Sequence, residues 1–190
     1  MLREGVFMQS SNELRDIING WIDGSISNIH TAMPGKIIDY DASICQASVQ
    51  PVGKFKIQDG RNLPFPIVHH VPVIFPSGLG GTAGVTIPLR SGDGCLLVFS
   101  ESQLDDFLNG GDSDNERRHS LNDAICIPGL YKRGCRSASA SDVCLFNGGV
   151  KMVISSGGIT VTGGDLVVNG ISVTKHTHTG DSGGTTSAPK

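Results

Sequence analysis

From residue 143 onward the chain is cut into apolar pieces too short to fold alone. Residues 150–154, 159–162, 166–168 and 171–174 are rich in β-branched and aliphatic side chains. They are separated by Gly148-Gly149, Gly157-Gly158, Gly163-Gly164 and Asn169-Gly170. Glycine reaches positive φ without steric cost, so the pattern predicts short strands joined by sharp turns. A sheet of such strands cannot bury a face by itself. Stacked β units escape that deficit by supplying one another's neighbours, and three chains wound about one axis is the economical arrangement.

The segment closes on Lys175-His176-Thr177-His178-Thr179-Gly180. In an extended strand, residues i and i+2 share a side and lie roughly 6.5 to 7 Å apart, so His176 and His178 are candidate metal ligands facing the common axis. Three chains then bring six imidazoles in two layers of three. A closed zinc site takes only four ligands, whereas six-coordinate iron or a similar first-row ion fits an octahedral nitrogen cage. With 6 His in 190 residues, chance supplies about 0.2 such pairs per chain, so position at the end of the strand array carries the assignment. Strict alternation groups His176 and His178 with Ser172 and Thr174, opposite Ile171 and Val173, so a bend or bulge near Lys175 is required. Only neutral imidazole ligates, and metal release is expected below about pH 6.

Aromatic residues make up 5% of the chain and 26 of its 190 residues are Gly, which suits a turn-rich, all-β protein of one or two domains. A formal net charge of −3 implies no polyanionic partner. The N-terminus has neither a secretory pattern nor a membrane span, which predicts folding in the cytoplasm of the producing cell. Cys45, Cys95, Cys126, Cys135 and Cys144 are odd in number and lack a Cys-x-x-Cys pair. They are expected to be reduced and mostly buried.

Residues 10–22 carry the helix signal of the N-terminal third. Ser10 and Glu13 have capping-box spacing, Leu14, Ile17, Ile18 and Trp21 recur at helical intervals, and Gly24 is the expected stop. Two placements are open: a helix packed on its own domain, or an arm docked on a partner. The region that follows reads as strands at 26–32, 36–40, 44–51, 69–75, 84–88 and 95–100, with a helix at 102–108. That order fits a small barrel of the OB type. His69 and His70 are adjacent, so one is expected to be buried and one exposed.

Single-strand binding by such a barrel needs a basic groove with stacking aromatics. Here Asp59, Asp93, Glu101, Asp105, Asp106, Asp112, Asp114 and Glu116 oppose scattered Lys and Arg, and Arg117-Arg118-His119 reads as a solvated loop. No nucleic-acid partner is expected. Nor is catalysis: Asp105-Asp106 diverge on their helix, and no Gly-x-Ser-x-Gly, His-Glu-x-x-His or Walker loop occurs.

The run from Arg117-Arg118-His119-Ser120-Leu121-Asn122-Asp123 through Ala124-Ile125-Cys126-Ile127-Pro128-Gly129-Leu130, closing a β domain, resembles the N-terminal region of bacteriophage central spike proteins of the baseplate assembly protein V type. Lys175-His176-Thr177-His178-Thr179-Gly180 with its Gly- and Thr-rich tail is similar to the tip of the same spikes. The two matches span the chain from about residue 30 onward. The resemblance implies a homotrimer on a contractile tail: an N-terminal helical arm (1–25), an OB-fold domain attached to the trimeric baseplate hub (26–136), an intertwined β-helix shaft (137–175) and a metal-binding tip (176–190). It implies that His176 and His178 from three chains hold one iron ion. The spike would sit at the baseplate tip of the virion, after assembly in the host cytoplasm, and pierce the host outer membrane. With no lysozyme-like segment expected, penetration would be mechanical. The alternative is a receptor- or glycan-binding tail protein built on an OB fold. The absence of any aromatic after Phe146 favours a plain shaft.

Overall fold

The computed structural model describes residues 4–27, 29–57, 60–111, 117–132 and 137–189. The chain forms two compact units, Met1–Cys135 and Arg136–Lys190. Asp59, Asp112, Asp114, Glu116 and Cys135 lie outside the described residues.

The first unit opens with helix α1, Glu4–Ser27. It is longer than the 10–22 pattern: it is already helical before Ser10, so Ser10 is no cap, and it runs through Gly20 and Gly24. A helical Gly costs only about 1 kcal/mol relative to Ala, too little by itself to end the helix. The expected strand at 26–32 therefore starts only at Ala32. The chain leaves the apolar side of α1 uncovered, with Leu14 58%, Ile17 52% and Trp21 74% exposed. A helix packed on its own domain is thus not what forms.

Strand β1 is Ala32–Asp41 and β2 is Gln46–Pro51. A small hairpin follows, β3 (Lys54–Lys56) with β4 (Asn62–Pro64), then β5 (Val68–Pro72). Between residues 84 and 88, where a strand was expected, only the two-residue β7 (Ala83–Gly84) pairs, with β6 (Ser77–Gly78). Strand β8 is Gly94–Phe99, helix α2 is Leu104–Leu108, and β9 is Ala124–Pro128. The main sheet has the order β5-β2-β1-β8-β9, all antiparallel. Alternation buries every second residue of β2 and β8, namely Ala47, Val49 and Pro51, then Cys95, Leu97 and Phe99. All of these but Pro51 meet Ile37, Val68, Val71 and Cys126 in one core. Just past β5, Val73 bridges Cys126 of β9 in parallel, and the Ile74 N–H donates to the Cys126 carbonyl at 2.9 Å. The two edges of the sheet therefore touch, and the sheet curls into a half-barrel.

His69 and His70 are both exposed, against expectation. The β2–β5 register slips between Ala47 and Val49, and His70 takes φ 58°, so a bulge turns both rings outward while Val68 and Val71 stay inside. The Ser48 hydroxyl and His69 Nδ1 lie 3.0 Å apart.

Arg117 does not belong to a solvated loop either. Its Nε donates to Asp123 Oδ2 at 2.7 Å and its Nη2 to Oδ1 at 2.5 Å. Asp123 is 0% exposed, and its Oδ1 also accepts the Leu104 N–H at 2.9 Å, tying α2 to the lead-in of β9. Hydrogen bonding to Asp123 pushes the Arg117 guanidinium pKa upward, keeping it charged. The four described cysteines are free, with Cys95 and Cys126 buried and Cys45 and Cys144 half-buried.

Gly94 marks the tightest point of the sheet. A Cβ there would lie 1.8 Å from the Leu130 carbonyl oxygen, and the Gly129 N–H donates to the Gly94 carbonyl at 3.0 Å, fixing the two backbones together. Gly94→Ala should cost about 2–3 kcal/mol through overpacking, measured as a lower urea midpoint. An unchanged midpoint would show that the backbone has room to shift.

The second unit is a meander of β10 (Val143–Asn147), β11 (Val150–Ser155) and β12 (Gly158–Thr162), followed by the hairpin β13 (Val167–Val168) with β14 (Ile171–Ser172). The turns fall where the glycines do. Gly163, at φ 74°, passes so close to Gly149 that a Cβ would lie 1.9 Å from its carbonyl oxygen. Asn169 and Gly170 take φ 50° and 83°, the paired left-handed values of a two-residue hairpin loop. No described residue of this unit is buried: Val143, Phe146, Ile159 and Ile171 are 62%, 62%, 66% and 59% exposed.

Candidate metal centre

The two histidines sit just beyond the β13–β14 hairpin, and the local hydrogen bonds explain how they are presented. The Val173 N–H donates to the Leu166 carbonyl at 2.9 Å, continuing the hairpin by one residue. The chain then turns over Val173, Thr174 and Lys175, and the His176 N–H reaches back to the Ser172 carbonyl at 3.2 Å. The backbone thus bends at Lys175, the place where strict alternation required it. Beyond the bend, Thr179 bridges Thr185, the Thr186 N–H donates to the His178 carbonyl at 2.9 Å, and the His178 N–H donates to Thr186 Oγ1 at 2.8 Å. A small closed loop therefore fixes the backbone of His178.

The two rings meet edge to face, with centroids 5.1 Å apart and planes at 88°. With metal–nitrogen bonds of about 2.0–2.1 Å, two imidazoles on one ion have centroids at most about 6.4 Å apart, and the separation of this pair lies within that limit. His176 Nδ1 lies 2.7 Å from the Ser172 carbonyl oxygen. A carbonyl only accepts, so Nδ1 carries a proton, and in the neutral ring Nε2 keeps the lone pair that a metal needs. His178 is exposed and His176 half-buried. Two imidazoles fall short of any closed ligand shell, and among the described residues no group of three or more His, Cys, Asp or Glu side chains comes together. The other histidine pair, His69-His70, lies in the first unit.

Asp165 has no role at this site that the sequence alone points to. Asp165 Oδ2 accepts the Ser172 hydroxyl at 2.5 Å, and Oδ1 accepts the Thr174 hydroxyl at 2.9 Å. Donation from Ser172, then from Thr174, holds the Asp165 carboxyl below its ordinary pKa. The signal available in the sequence was a carboxylate after Gly163-Gly164 with hydroxyls seven and nine residues on, which means something only once the Asn169-Gly170 turn folds them together.

The first unit defines the class: a curled antiparallel domain whose last strand is the one the Arg117–Leu130 resemblance singles out. Residues 33–129 match the family described as Phage protein Gp138 N-terminal domain. The match starts one residue inside β1, ends one residue past β9, and covers just over half of the chain. The chain belongs to this family and is a bacteriophage protein. No curated protein matches it. The family match stops short of the tail, so the histidine pair stands on the tail's own geometry. Among the described residues no helix is long and apolar enough to cross a membrane.

Proposed function

We propose that the chain is a structural central spike at the tip of a contractile phage tail, acting as a homotrimer. In this reading the curled domain is an OB-type collar on the baseplate hub, and α1 is an arm that docks on a partner. The tail is an intertwined three-chain shaft that penetrates the host envelope mechanically. The observation that carries it is the second unit, where every described strand residue stays at least partly exposed although the strands are apolar. Lone exposed hydrophobics are ordinary, but contiguous apolar strands mark an interaction surface, and unpaired strand edges invite association. Threefold wrapping covers both at once. A narrow, closed, stiff element is what force along one axis requires.

In the same reading His176 and His178 of three chains hold one six-coordinate iron ion, which pins the chain ends together. By analogy with structural zinc, such a site contributes on the order of 10 kcal/mol. The double variant His176→Ala, His178→Ala should drop the bound metal from one ion per three chains to none, measured by elemental analysis of the purified protein. A six-coordinate metal signal that survives in the double variant would refute the ligand assignment.

A further inference from the structure

Resting on the metal reading above, we infer that Asp165 is a positioning residue for the tip: through Ser172 and Thr174 it clamps the turn that presents His176 Nε2 as the ligating atom. Asp165 lies just before β13 and the turn just after β14, so the carboxylate spans the open end of the hairpin. One oxygen takes the Ser172 hydroxyl at 2.5 Å; the other takes the Thr174 hydroxyl at 2.9 Å and the Thr174 N–H at 3.3 Å. Ser172 is the hub of the turn. Its hydroxyl oxygen accepts the Lys175 N–H at 2.9 Å, and its carbonyl accepts both the His176 N–H at 3.2 Å and the His176 Nδ1–H at 2.7 Å.

The consequence is a chain of fixed positions from carboxylate to imidazole. Asp165 holds the Ser172 side chain, Ser172 holds the turn, and the Ser172 carbonyl selects the tautomer and ring angle of His176. A free imidazole has no such restriction: either nitrogen can carry the proton, and only the form protonated at Nδ1 offers Nε2 to a metal. Residues that orient a metal-bound histidine typically change affinity by about 10–100-fold when removed. His178 has a different support, the Thr186 contact, so loss of the clamp should act through His176 alone.

The test uses the full chain labelled with 15N-histidine, free of metal and then loaded with iron(II) in competition with a chelator. The parent should show His176 as the Nδ1–H tautomer. Asp165→Ala should mix the two tautomers and weaken iron(II) binding about 10–100-fold, while Asp165→Asn, which keeps one acceptor oxygen, should fall between. Asp181→Ala removes a carboxylate three residues past His178 without touching the turn, and should leave both readouts unchanged, separating positioning from charge. An unaltered tautomer and affinity in Asp165→Ala, or equal losses in Asp165→Ala and Asp181→Ala, would overturn the inference. Absence of iron binding by the parent would defeat the metal reading, and the tautomer comparison would still decide the clamp. If Asp165→Ala does not fold, the Asp165→Asn variant decides it by the same two readouts.

Discussion

Asp123→Ala is expected to cost the first unit about 3 kcal/mol or more, the range for removing one partner of a buried ion pair. The carboxylate is fully buried, receives Arg117 through both oxygens, and accepts the Leu104 N–H. Alanine removes all three bonds and leaves a helix N–H without its acceptor in the interior, where desolvation is not repaid. For a domain near this size the loss corresponds to a melting temperature lower by about 12 °C or more. Asp105 is the control. It also reaches Arg117, at 3.3 Å, but its side chain is 64% exposed, and Asp105→Ala should cost less than about 1 kcal/mol because solvent screens that pair. Equal effects of the two substitutions would show that burial of Asp123 is not what anchors α2.

The second large effect is on assembly. Ile159 is 66% exposed in one chain, and for a solitary chain Ile159→Lys would change stability by no more than about 0.5 kcal/mol. In a threefold shaft the same substitution places three ammonium groups in one apolar layer, where each unpaired charge is strongly disfavoured. The variant should lose the trimer outright by native mass spectrometry. Thr160 is next to Ile159 on β12 and points to the opposite face, so Thr160→Lys should leave assembly intact. A trimer that tolerates Ile159→Lys would place the shaft interior elsewhere.

The parts of this fold that the sequence made legible are those set by local chemistry. The Asn169-Gly170 loop and the Gly163-Gly164 corner appear at their expected places, because a two-residue turn needs left-handed φ and few residues supply it; the strand expected at 171–174 stops at Ser172, where the chain turns. Residues 117–130 pointed to a phage protein, and in the fold they are β9 and its lead-in, the strand that closes the curled sheet. What could not be read depends on contacts distant in sequence. The Arg117–Asp123 bridge is invisible until β9 pairs with β8 and α2 packs above it. The bulge at His70 follows from a register slip with β2, so alternation misassigned one ring to the core. The end of α1 was misplaced because Gly24 stops a helix only where the following residues favour another structure. Asp165 escaped notice for a similar reason: its hydroxyl partners are neighbours only after the hairpin has formed.

In the proposed spike the tail is completed by other copies of itself around a shared ion. Native mass spectrometry combined with metal analysis of the purified chain decides between an assembly and a solitary chain. One chain has a mass of 19.9 kDa. A spike of this kind gives an assembly of about 60 kDa containing one transition-metal ion, and a soluble species of single-chain mass with no bound metal would rule it out.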